Sequence, residues 1–226
     1  MLCLLNTSVG AFDAPRPQLH LEEAGEEAEA GAPTGKTDLM VAARGGQFER
    51  VKELMAAHAD VNSVNENGGT PLMYAALGGN LEIVRMFLDG GAKVNATANN
   101  RWSALMIASA KGYTSIVELL LSRGADINLQ DVYRWTPMMR AVYENRTEIV
   151  RLFLNQPGVD VNRTGENEIT ALHLAASQGY SHIARMLIKH GARVDVKDAA
   201  GRTPLDIATE RSDSDVIAVL YSHGVK

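Results

Sequence analysis

The chain has 226 residues, 46% hydrophobic and 22% charged, the composition of a globular protein of one or two domains. Its net charge of -5 comes from residues 1–34, where Asp13, Glu22, Glu23, Glu26, Glu27 and Glu29 face only Arg16. The neutral remainder excludes a generic nucleic-acid binder, the single Cys3 excludes a disulfide framework or a cysteine zinc site, and no apolar run approaches the roughly 18 residues that span a bilayer.

Residues 1–14 start with the apolar stretch Met1–Leu5 and reach Val9-Gly10-Ala11, a small-residue pattern of the kind found before an export cleavage site. Two readings stand: the tail of an export signal, which places the protein in the periplasm or outside the cell, and a disordered cytoplasmic N-terminus. Residues 15–35, with Pro15, Pro17, Pro33 and a Glu/Ala/Gly run, cannot build a core and read as a linker. Residues 1–34 are therefore expected to be a disordered acidic segment.

From residue 35 a period of 33 governs the chain. Thr37-Asp38-Leu39-Met40, Thr70-Pro71-Leu72-Met73, Ser103-Ala104-Leu105-Met106, Thr136-Pro137-Met138-Met139, Thr170-Ala171-Leu172-His173 and Thr203-Pro204-Leu205-Asp206 recur, with one 34-residue step before Thr170. A second motif keeps pace: Ala59–Asn62, Ala92–Asn95, Ala125–Asn128, Val159–Asn162 and Ala192–Asp195. Such a period means stacked units, none of which buries its apolar face alone. Within one unit, Thr70 caps a helix and Pro71 sits at its first position, where a missing N–H is harmless. Gly78-Gly79-Asn80 breaks that helix. Leu81, Ile83, Val84, Phe87 and Leu88 then have the spacing of a second helix, which Gly90-Gly91 terminates.

These residues resemble the ankyrin-repeat family, most legibly in Thr70–Asn95 and Ser103–Asn128. The resemblance covers residues 35–226 as six repeats, about 35–64, 65–97, 98–130, 131–164, 165–197 and 198–226. It implies an all-α solenoid of helix–loop–helix units with hairpin-like fingers, and a protein-binding module without activity of its own. Three departures stand out. The motif histidine survives only as His173, being Met40, Met73, Met106 and Met139 elsewhere. The finger glycine survives as Gly68 and Gly201 but is Arg101, Arg134 and Glu168 in the middle repeats, where positive φ is costly. Asn155-Gln156-Pro157-Gly158 lengthens the fourth repeat by one residue.

No residues assemble into a catalytic set. The six histidines show no metal-binding spacing, and the paired glycines follow no strand of a phosphate-binding unit. No cofactor or metal is expected, and no enzyme activity. Of the glycosylation-type triplets, those at Asn95 and Asn162 fall on the recurring asparagine and read as coincidence.

The aromatic residues carry the remaining signal. Trp102 and Trp135 are the only tryptophans and occupy the same place on successive fingers. Around them lie Arg101, Arg134 and Tyr133 on the fingers, Tyr143 and Glu144 at the end of a first helix, and Tyr74 and Arg140 at the position the family exposes to its concave groove. Trp, Tyr and Arg dominate interface hot spots. The expectation is a binding groove at repeats three and four, with both tryptophans on exposed fingers, taking an acidic or amphipathic peptide or protein segment with an apolar anchor. The competing expectation is that the tryptophans pack finger on finger and cover the helices beneath; a further one is that Arg101, Trp102, Arg134 and Trp135 alternate as a self-satisfied cation–π ladder. Tyr113 and Tyr180 read as structural. The protein is expected to be a monomer that binds neither nucleic acid nor membrane. The alternative function is that of an exported bacterial protein protecting or inhibiting a partner enzyme.

Overall fold

The computed structural model describes residues 37–222. The readings of residues 1–14 and 1–34 lie outside this range. The described residues form twelve α-helices, two per repeat. The first helices are α1 Asp38–Arg44, α3 Pro71–Gly78, α5 Ala104–Lys111, α7 Pro137–Tyr143, α9 Ala171–Gln178 and α11 Pro204–Glu210. The second helices are α2 Phe48–Ala56, α4 Leu81–Asp89, α6 Thr114–Ser122, α8 Thr147–Leu154, α10 Ser181–Lys189 and α12 Ser214–Ser222.

The motif hydroxyls start the first helices as their chemistry predicts. The side chains of Thr37, Thr70, Ser103, Thr136, Thr170 and Thr203 each accept a bond from the backbone N–H three residues on. A histidine or aspartate in that third place, His173 or Asp206, closes a reciprocal capping box, which methionine cannot do. Gly79, Gly112 and Gly179 end α3, α5 and α9 in the left-handed conformation.

The first helices of the middle repeats are buried almost end to end, from Pro71 to Leu77, Ala104 to Ala110 and Ala171 to Ser177. Second helices bury one stripe, such as Ile83, Val84 and Phe87 of α4. First helices pack against one another more extensively than second helices do at every junction.

Two ladders tie the repeats together outside the core. At the ends of the second helices, Nδ2 of Asn62, Asn95, Asn128 and Asn162 donates to the carbonyl of Gly91, Gly124, Gly158 and Gly191 of the next repeat. The longer turn of the fourth repeat is absorbed before Gly158, so the rung survives, and the amides of Asn95 and Asn162 are committed to structure. Further along the same connecting segments the fingers are linked by backbone bonds from Asn99 N–H to Asn67 (2.9 Å), Val132 to Asn100 (3.2 Å), Glu166 to Tyr133 (2.8 Å) and Ala199 to Asn167 (2.8 Å).

Candidate functional site

The finger of the fourth repeat is organised by Asp131. Its Oδ1 accepts from the N–H groups of Tyr133 (2.9 Å) and Trp135 (3.0 Å), closing the turn. Asn65 and Asp198 close the second and sixth fingers in the same way. Each of these residues has a second polar atom, and each has a partner for it: Tyr74 for Asn65, Arg140 for Asp131, Arg202 for Asp198. Asp131 was not singled out in the sequence, yet its alignment with Asn65 and Asp198 marks it as the turn residue.

Arg140 rises from α7 beneath this finger. Its Nε donates to Asp131 Oδ2 at 3.0 Å, and Nη2 bonds the same oxygen. The guanidinium carbon lies 4.6 Å from the Trp102 ring centre and 4.4 Å from that of Trp135, so one cation sits between the indoles of two successive fingers. Tyr143 meets Trp135 edge-on, with centroids 5.4 Å apart and planes at 61°. Burial draws the Arg140 guanidinium below its ordinary value, and the charge of Asp131 opposes that pull.

This geometry corrects part of the sequence-based expectation. Trp102 and Trp135 are not on exposed fingers: they are 2% and 1% exposed. Tyr74 and Arg140 do not face an open groove either, at 1% and 2%. The reason is that the fingers fold down over the first helices, and side chains large enough to reach a finger are covered by it. The finger-on-finger packing was legible in the 33-residue spacing, but the cation it holds is Arg140, not Arg101 or Arg134. Burial raises the Tyr74 phenol, and the nearby Arg44 and the bond from Asn65 partly offset this.

The remaining predicted residues reach solvent. Arg101 and Arg134 are exposed and hold φ of 61° and 58°, the left-handed conformation that Gly68 adopts in the second repeat. Arg134 pairs with Glu168 at 3.4 Å. Tyr133 and Tyr143 are half-buried, and Glu144 is exposed at the end of α7. One tip residue escaped the sequence reading: Val132 is 50% exposed. Its counterparts Glu66, Asn99, Glu166 and Ala199 are polar or small, and that contrast was available in the sequence. The tip Val132-Tyr133-Arg134 thus offers an exposed valine beside a half-buried tyrosine.

Among the described residues no group of three His, Cys, Asp or Glu is arranged around a metal position, and no helix is long and apolar enough to cross a membrane.

An ankyrin-repeat family model matches residues 39–131, 100–165 and 138–226, and the chain belongs to that family. Repeats of this kind make protein–protein interaction modules, typically without catalysis. Among solved structures, the chain is similar to one chain of the complex between a predatory endopeptidase from Bdellovibrio bacteriovorus and an immunity protein. The TM-score is 0.75 at 30% identity, over 84% of this chain and 100% of that one. Curated relatives include Rabankyrin-5 of Mus musculus, 43% identical over 72 residues, and serine/threonine-protein kinase 12 of Arabidopsis thaliana, 41% identical over 69 residues. Each match spans 30% of this chain, and only 6% and 15% of the respective relative.

Proposed function

We propose that the protein binds a partner protein through the concave side and the fingertips, centred on repeats three and four, with no chemistry of its own. The observation that carries this is the tip Val132-Tyr133-Arg134, where an exposed valine and a half-buried tyrosine stand beside Arg101 and Arg134. A tip of this kind suits an acidic or amphipathic segment with an apolar anchor. Tyr143 and Glu144 extend the surface toward the first helices. Trp102, Trp135, Tyr74 and Arg140 belong to the same site as the layer beneath it. Comparing affinity capture by the natural protein and by Tyr133→Ala/Arg134→Ala tests the reading. The pair should lose the bound protein by about 2 kcal/mol, roughly thirtyfold, if it is a hot spot. Undiminished binding by a folded double variant would place the surface elsewhere.

A second reading is favoured by the match to a chain of the endopeptidase–immunity complex along that chain's whole length. In it the captured partner is an enzyme, and binding protects the cell from it or inhibits it. Adding the purified protein to the captured partner and assaying peptide hydrolysis separates the two readings. Inhibition that Tyr133→Ala/Arg134→Ala abolishes supports the second; unchanged or absent hydrolysis leaves the first.

A further inference from the structure

We propose that Arg140 is a positioning residue: its guanidinium, shared by Trp102 and Trp135, sets the register of the third and fourth fingers against each other. This deepens the binding reading above, since those two fingers carry Arg101 and the Val132-Tyr133-Arg134 tip.

The junction between these fingers is otherwise poorly tied. Its backbone link, Val132 N–H to the Asn100 carbonyl, is the longest of the four at 3.2 Å. Among the described residues no side-chain hydrogen bond crosses between the two tips. The neighbouring junctions have such bonds. Asn99 Nδ2 donates to the Glu66 carbonyl at 3.0 Å between fingers two and three. Gln130 Nε2 donates to the Thr164 carbonyl at 2.9 Å, and Arg134 reaches Glu168, between fingers four and five. What crosses from the third finger to the fourth is the sandwich itself: Trp102 from one, Trp135 from the other, and one cation in contact with both. Asp131 fixes that cation from below the fourth finger and, through Oδ1, fixes the N–H groups on either side of Arg134.

The same chain shows that stability does not require the ion pair. At the positions of Asp131 and Arg140 the second repeat carries Asn65 and Tyr74, joined by a 2.9 Å bond, and the third carries Ala98 and Ile107. Neutral or apolar pairs therefore fit this place, and a buried ion pair is commonly matched or bettered in stability by such replacements. Its retention in the fourth repeat is explained by geometry: a planar cation fixes the spacing and tilt of two indoles, which an isoleucine does not.

Amide exchange followed by nuclear magnetic resonance on the full chain tests this without any partner. Two variants are compared with the natural protein: Asp131→Asn/Arg140→Tyr, which copies the second repeat, and Asp131→Ala/Arg140→Ile, which copies the third. The expected result is that both fold with unchanged or higher resistance to urea. The Val132 amide should exchange about tenfold faster, a local opening, with the Asn99 and Ala199 amides at the other junctions unchanged. Unchanged protection of Val132 in a folded variant overturns the proposal. So does equal loosening of all three amides, or failure of both variants to fold, since the pair would then serve stability alone. Faster exchange at Val132 with undiminished partner capture keeps the positioning role and removes the binding surface from these fingers.

Discussion

At the scale of single residues, burial decides most outcomes. Trp135→Ala removes an indole that is 1% exposed and leaves Arg140 without half of its sandwich. The expected cost is about 3–5 kcal/mol, the range for large aromatic truncations in a core, read from urea unfolding. Trp102→Ala should behave similarly. Gly165 provides a second check. A Cβ there would lie 2.9 Å from Trp135 Cδ1, so Gly165→Ala should cost about 1–3 kcal/mol through overpacking, although its backbone conformation is ordinary. Arg101 gives the opposite sign. At φ 61° it holds a left-handed conformation that glycine adopts freely, so Arg101→Gly should raise stability by about 1 kcal/mol while removing a fingertip charge. What the sequence revealed at this scale was residue type and spacing. What it concealed was direction: nothing in the 33-residue period says that a finger folds over position 140 and buries it, because that follows from the reach of Trp102 and Trp135 in space. The exposed tip was legible only by comparing Val132 with its four counterparts.

At the scale of elements, caps and stops in the sequence located the helices well. Thr-Pro starts and glycine stops fix α3 to Pro71–Gly78, as the sequence predicts, and the predicted second helix from Leu81 ends at Asp89, before Gly90-Gly91. The histidine of α9 is a measurable element-scale device. His173 is buried, with Nδ1 2.8 Å from Thr170 Oγ1 and Nε2 3.2 Å from the Arg202 carbonyl, to which it donates, linking the fifth repeat to the sixth. Burial holds its imidazole below the usual value, so the neutral form is the one that fits. The unfolded chain then takes up a proton first as the pH drops below about 6.5, while the folded chain does not. Stability is therefore intact above that value and falls as the pH moves down toward the folded value. Melting temperatures at neutral pH and at mildly acidic pH should show this fall, and His173→Met, the residue four other repeats use, should reduce it. An equal slope in the variant would assign the effect to other groups.

For the whole molecule, stacking supplies the stability, unevenly along the described repeats. Leu72 and Leu105, 2% and 1% exposed, lie where neighbouring first helices meet. Replacing either by alanine should cost about 2–5 kcal/mol in denaturant unfolding. The second helix of the first described repeat, α2, buries only Val51, whereas α6 buries Ile116, Val117, Leu119 and Leu120. Amide exchange in α2 should accordingly be faster than in α6, as expected when openings begin where few apolar contacts hold a segment. The order of the units and their number were carried by the period itself, and the fingers were implied by the family resemblance. Which face meets a partner was not, because it depends on which large side chains the fingers cover. In the proposed mode of binding the partner meets the fingertip of the fourth repeat, over a buried Trp–Arg–Trp layer, and not the outer helices. Site-specific photo-crosslinking tests it most directly, with the photoreactive residue placed at Val132 on the tip or at Glu118 on the exposed face of α6. A partner on the fingertip gives a defined crosslinked protein from position 132 and none from position 118; the same product from position 118 alone rules this mode of binding out.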